Sequence, residues 1–391
     1  MSPRVVATVD LGAIRHNLGQ VRAKAPNARI MAAVKADAYG HGAVPVARTL
    51  VAAGVDALAV ACMEEALVLR RAHVGGQMAL LEGILSAEEA AMAVYEQLDV
   101  VLHDHWQIEL LHALGPTAQI RVWFKIDTGM HRLGFPPEDV PRLCQALVDH
   151  PRWQFAGWIT HLACADDLDD PFTTQQLARF TAALQGVPGP RSIANSAGLL
   201  GWPQTHADWV RPGLALYGAS PISGLPAEQL GLKPAMTVES RLIAVRTFEA
   251  GETLGYGRHF TCPERMPVGV VAIGYADGLP RALSNRGHVG LGGGLAPIVG
   301  RGGHSGAAPA AGRARVDGHD HRRSAAAAAR QGRIHRADLG AGSARRASGC
   351  RGQHHRLRVV LRADPAGALS APQSLRALRS GAAIQSCSSS R

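Results

Sequence analysis

From residue 30 to about 218 the chain repeats one pattern: a short apolar run, then a stretch with apolar residues near helical spacing. The runs cover 30–35, 57–62, 78–81, 99–103, 119–126, 155–161, 191–195 and 215–217. Helix-like stretches at 64–72, 87–95, 140–148 and 174–184 fall between them. Near-continuous apolar strands alternating with helices imply a parallel sheet covered on both faces. Eight such units predict an α/β fold with a (β/α)8 TIM barrel over residues 11–228, and a doubly wound sheet is the competing arrangement. Chemistry in a barrel gathers where strands end. Those ends carry Lys35, Tyr39, Arg132, His161, Asn195, Ser196 and Arg211.

After Gly218 the pattern changes. Residues 236–247 and 269–273 read as strands, with turn signals at 249–251 and 276–278. They predict the start of a mostly antiparallel C-terminal β domain over 229–300. The run 5–9 has no helix beside it, and residues 1–10 are expected to pair with that domain. From about 290 the pattern decays. Residues 301–391 contain no Phe, Tyr, Trp, Met, Lys, Glu, Asn or Thr. Without aromatic side chains such a tail buries little, so the β domain is expected to be truncated or disordered there.

Charge changes the picture only once it is located. The net charge of +10 raises nucleic acid or an acidic membrane surface as partners. Residues 301–391 hold 17 arginines and four aspartates with neither Lys nor Glu, a net +13, so residues 1–300 carry −3. The basic balance belongs to the tail. No apolar run reaches 18 residues and no signal-like segment opens the chain. A soluble cytoplasmic protein with neither nucleic-acid nor membrane partner is expected, and binding of nucleic acid through the tail is the weaker rival. The six cysteines are scattered without metal spacing, so no metal site is expected.

Lys35 is one of four lysines and closes an apolar run. A lysine there is desolvated and can become a nucleophile, or can simply snorkel at a strand end. Its neighbours go further. The segment Val34-Lys35-Ala36-Asp37-Ala38-Tyr39-Gly40-His41-Gly42 resembles the cofactor-attachment motif of alanine racemases, pyridoxal-phosphate enzymes of fold type III. Matches continue in the family's order: Lys125-Ile126-Asp127-Thr128-Gly129-Met130-His131-Arg132-Leu133-Gly134, Thr160-His161, Ala194-Asn195-Ser196-Ala197, Val210-Arg211-Pro212-Gly213, Gly255-Tyr256-Gly257 and Ile273-Gly274-Tyr275-Ala276-Asp277-Gly278. The resemblance spans residues 5–280.

It implies interconversion of L- and D-alanine with pyridoxal 5'-phosphate, supplying D-alanine for cell-wall peptidoglycan. Lys35 would carry the cofactor and move the proton on one face. Tyr256, supplied by the second subunit of a homodimer, would serve the other face. Arg211 would face the pyridine nitrogen, with His161 bonded to it. Arg132 would reach the cofactor's phenolic oxygen and the substrate carboxylate. Lys125 corresponds to a lysine that can be carbamylated to orient that arginine, with an uncarbamylated structural lysine as the alternative. Tyr275 would line the substrate entrance. Tyr39, Asn195, Ser196, Gly213 and Leu214 would hold the cofactor, chiefly at its phosphate. A racemase of another small amino acid such as serine, a decarboxylase of the same fold type, and a cofactor-binding relic without catalysis are the rivals.

Two family segments are absent after residue 300: one containing Met-Asp, and one of the form Asn-Thr-Ile-x-Tyr-Glu. Codons can be chosen for residues 316–324 that, read one nucleotide later, encode Ser-Met-Asp-Met-Ile-Ile-Val-Asp-Leu. Codons for residues 353–361 read in the same offset encode Asn-Thr-Ile-Ala-Tyr-Glu-Leu-Phe. Both missing segments return in order and in one frame. The expectation is a frame change between about residues 290 and 316.

Overall fold

The computed structural model describes residues 3–114, 118–280, 283, 287–291 and 294–299, with short stretches at 308–311, 356–359 and 383–387. The chain divides into a unit of residues 10–235 and a second unit that joins residues 1–9 to 236–387.

In the first unit eight parallel strands close a barrel. With β1 assigned to Val5–Asp10, the barrel strands in order are β2 (Arg29–Ala33), β3 (Ala57–Val60), β4 (Gln77–Leu80), β5 (Asp99–Leu102), β6 (Ile120–Lys125), β7 (Trp153–Ile159), β8 (Arg191–Ser192) and β9 (Trp209–Val210). Helices Met63–Arg71, Ala87–Tyr95, Val140–Asp149 and Phe172–Ala183 lie between strands as their spacing predicts. Alternate strand residues serve two cores. Leu58, Leu80, Val100, Phe124 and Trp158 pack outward among the helices. Met31, Ala59, Ala79, Val101, Trp123 and Trp209 fill the interior. Alanines leave room there for the two indoles, whose rings meet edge to face at 5.7 Å. Each large side chain so buried contributes about 1.5–3 kcal/mol.

The apolar run 215–217 is not a strand. Leu214–Tyr217 forms a 3-10 turn closed by Gly218 at φ 78°, and the last barrel strand is Trp209–Val210. The run packs through Tyr217, which is buried and donates its hydroxyl to the Ala33 carbonyl at 2.8 Å. Residues 229–235 also stay with the barrel instead of opening the β domain. The Asn17 side-chain amide donates to Lys233 O and accepts from Lys233 N, each at 2.8 Å.

The second unit is built on a long strand, β10 (Met236–Phe248). It pairs antiparallel with β1, placing Val5 opposite Ser240 and Val9 opposite Met236, and with Met266–Val271 on the far part of its length. Val5, Ala7, Val238, Val271, Ile273, Val289 and Ile298 form its core. An ion pair joins Arg4 to Asp277. From the tail, 308–311 pairs with Met266–Val271, and 356–359 pairs with β10, all antiparallel. Apart from these stretches and 383–387, residues 301–391, on which the expectation of truncation or disorder chiefly rests, lie outside the described residues.

Candidate active site

Lys35 follows the end of β2 and opens an unusual turn. Ala36, Asp37, Ala38 and Tyr39 have φ of 51°, 55°, 55° and 54°. None is glycine, and left-handed backbone costs roughly 1–2 kcal/mol per residue. Local bonds offset that cost. The Glu65 carboxylate accepts the Ala36 amide at 2.6 Å and the Ala61 amide at 2.8 Å. Asp37 Oδ1 accepts the Ala43 amide at 2.7 Å. The Tyr39 ring stacks on Tyr217 at 4.8 Å, and His41 leans on the same ring at 4.6 Å. The turn therefore holds both Lys35 and Tyr39 in place. Burial raises the Tyr39 phenol above its usual pKa, so it keeps its proton and can donate.

The Tyr39 hydroxyl lies over Gly213, where a Cβ would come within 2.3 Å of its oxygen. The Gly213 and Ala215 amides both donate to Ser196 Oγ, at 2.9 and 3.2 Å. Leu214 lies between them at the start of the 3-10 turn. Asn195 caps the helix Ser196–Gly201 by accepting the Gly198 amide at 2.9 Å. Tyr39, Asn195, Ser196, Gly213 and Leu214 thus lie on linked segments of the barrel.

Arg211 follows β9 and is only 7% exposed. Its Nη1 donates to Ser192 Oγ at 2.8 Å, and its Nη2 to the Thr160 carbonyl at 2.5 Å and to His161 Nδ1 at 3.3 Å. A guanidinium only donates, so His161 Nδ1 must accept and its proton sits on Nε2. Burial, then the charge of Arg211, holds His161 well below the usual imidazole range. Burial lowers Arg211 only to about 10, so it remains a cation.

Lys125 ends β6. Burial, reinforced by Arg211 and Arg132, lowers it to about 8. Lys35 adds to the same repulsion, so four cations converge on one barrel mouth. Arg132 itself is exposed at that mouth. Such a donor-rich set recognises a multiply charged anion together with a carboxylate. Among the described residues no group of three or more His, Cys, Asp or Glu side chains could hold a metal.

Tyr256 and Tyr275 belong to the β unit. Tyr256 opens a tight turn after Gly255 and is 60% exposed. Tyr275 starts a turn that Asp277 braces by accepting the Gly274 amide at 3.0 Å. Glu65, Ser192, Gln176 and Tyr217 were not singled out from the sequence. Each acts through bonds to residues far along the chain, which no local pattern announces.

A closed parallel barrel thus carries an amine and fixed cations at one mouth, the arrangement of a barrel enzyme's site. Comparison makes the class specific. Residues 9–221 match the family model described as "Alanine racemase, N-terminal domain", and residues 235–301 match "Alanine racemase, C-terminal domain". The alanine racemase of Halorhodospira halophila is 48% identical over 302 residues, covering 77% of this chain and 83% of the relative. The catabolic alanine racemase of Pseudomonas putida is 45% identical, covering 75% and 82%. The biosynthetic alanine racemase structure from Pseudomonas aeruginosa superposes with a TM-score of 0.75 at 41% identity, covering 81% of this chain and 88% of that one. An alanine racemase from Bartonella henselae, described with covalently bound pyridoxal phosphate, gives 0.69 at 31% identity over 79% and 86%. The chain belongs to the alanine racemase family. It is an isomerase of the amino-acid racemase class. Among the described residues no helix is long and apolar enough to cross a membrane.

Proposed function

We propose that this chain interconverts L- and D-alanine by a two-base mechanism at a pyridoxal 5'-phosphate held by Lys35. The observation that carries the reading is the gathering of Lys35, Lys125, Arg132 and Arg211 at one barrel mouth beside the Tyr39–Gly213 cradle. The donor set fits the cofactor. Lys35 supplies an amine for covalent attachment. The Tyr39 and Ser196 hydroxyls and the Leu214 amide beside Gly213 offer donors to a phosphate. Asn195 steadies that segment through its cap.

Pyridoxal phosphate, when bound, supplies an electron sink that acidifies the substrate's α-hydrogen. Arg132 binds and orients the substrate carboxylate. Lys35 removes or returns the proton on one face, and Tyr256 of a second subunit does so on the other. Arg211, a donor only, would hold the ring side of the cofactor and would leave its ring nitrogen without a proton, which would discourage decarboxylation and transamination. His161 holds Arg211 in line, and Tyr275 lines the substrate entrance. The functional unit is a homodimer in the cytoplasm, and its D-alanine serves cell-wall synthesis.

A frame change between about residues 290 and 316 is part of the same reading. The C-terminal family match ends at 301. Beyond it the chain changes to Arg-, Ala- and Gly-rich composition. The chain as written is therefore expected to racemise poorly.

The test compares D-alanine formation from L-alanine by this chain and by a version restored to the offset frame. The restored chain should racemise alanine, and Tyr256→Phe in it should lose about a hundredfold or more. A restored chain that binds pyridoxal phosphate yet never converts alanine contradicts the proposal.

A further inference from the structure

We infer that Gln176 is a positioning residue that fixes the His161 segment, and through it Arg211, at the barrel mouth. Gln176 projects from the helix Phe172–Ala183 and has no exposed surface. Its Nε2 donates to the His161 carbonyl at 3.0 Å and to Thr128 Oγ1 at 3.3 Å. Its Oε1 accepts the Ala163 amide at 2.8 Å. One side chain thus clamps the backbone on both sides of Leu162. It also ties that segment to Thr128, on the loop that leads to Arg132. Thr128 Oγ1 meets Thr160 Oγ1 at 2.9 Å, and the Thr160 carbonyl receives Arg211. Hydrogen bonds joined through the Thr160 residue therefore link an outer helix to the guanidinium.

The residue type matters. A buried glutamine gives up most of its side-chain freedom. An apolar side chain of similar size would leave the His161 carbonyl and the Ala163 amide unpartnered. Gln176 makes no bond to Lys35 or Arg211 itself. What it sets is the orientation of the histidine that accepts from Arg211. The inference rests on the proposed reading of His161 and Arg211 as the cofactor's ring side.

The test uses the full chain without added cofactor, and reads the His161 imidazole by nitrogen–proton correlation, assigned with His161→Gln. The native ring should show one tautomer, protonated at Nε2. In Gln176→Met its signals should shift and the single tautomer should be lost. Phe180→Leu, a core change on the same helix, should lower the melting temperature and leave the ring signals in place. If Gln176→Met does not fold, Gln176→Glu, which keeps the acceptor for Ala163, is read in the same way. Pyridoxal phosphate should also bind about tenfold more weakly to the variant. A folded variant with unchanged His161 signals overturns the inference. Failure of the native chain to bind the cofactor counts against the proposed function, while the ring signals still decide Gln176.

Discussion

The Tyr39 hydroxyl occupies the space that a side chain at Gly213 would need: a Cβ there would lie 2.3 Å from the phenolic oxygen and 2.9 Å from Cζ. Gly213 has φ of −124°, so its lack of a side chain answers this close approach and not a left-handed backbone. Gly213→Ala should push Tyr39 off its stack on Tyr217 and leave the barrel folded. The expected outcome is about tenfold weaker binding of pyridoxal phosphate with a melting temperature close to native, read by cofactor titration and calorimetry. Unchanged affinity would contradict the placing of Tyr39 at the phosphate.

Lys125 offers a pH signature. Its folded pKa is lowered to about 8 from an ordinary 10.5, first by burial and then by Arg211 and Arg132. Between those values the unfolded amine keeps a proton that the native amine has lost. Below about 8 both states are protonated and the buried charge destabilises the fold by a constant amount; that penalty is relieved as pH rises across the window, by up to about 1.4 kcal/mol per pH unit. Denaturant unfolding from pH 8 to 10 should show the slope, and Lys125→Met should flatten it.

The same amine can be followed chemically. With four lysines in the chain, a peptide map after reductive methylation is unambiguous. Methylation of Lys125 should rise through a midpoint near its lowered pKa, and Arg132→Ala should move that midpoint upward by removing a neighbouring cation. A midpoint unaffected by Arg132→Ala would separate the two side chains.

Ser192 bears on the guanidinium. It is fully buried, accepts from Arg211 Nη1 at 2.8 Å and donates to the Trp209 carbonyl at 3.0 Å. Ser192→Ala leaves a donor and an acceptor buried without these bonds, which costs about 1–3 kcal/mol. Thermal unfolding should record the loss. Ser192→Thr, which restores the hydroxyl at the expense of one methyl group, should recover part of it.

The barrel was legible in the sequence because strands covered on both faces read as apolar runs, and the helices between them keep a 3.6-residue period. The last unit was not. Ala215–Tyr217 is apolar for a reason other than strand formation, the docking of Tyr217 under Ala33. The Lys35 motif was readable as a motif, but the left-handed turn that presents it was not, since Ala36, Asp37, Ala38 and Tyr39 carry no glycine to announce it. That conformation depends on Glu65, which is distant in sequence from the amide it holds. Gln176 stayed hidden likewise, because a polar residue in a helix reads as solvent-facing until its partners are known.

Of the four lysines, Lys35 is the one assigned to carry the cofactor. The direct measurement is incubation of the chain with pyridoxal phosphate, reduction with borohydride, and mass mapping of the lysine peptides. A stoichiometric pyridoxyl group is expected on Lys35 and absent in Lys35→Ala. Labelling of Lys24, Lys125 or Lys233 in its place, or no labelling at saturating cofactor, would contradict it.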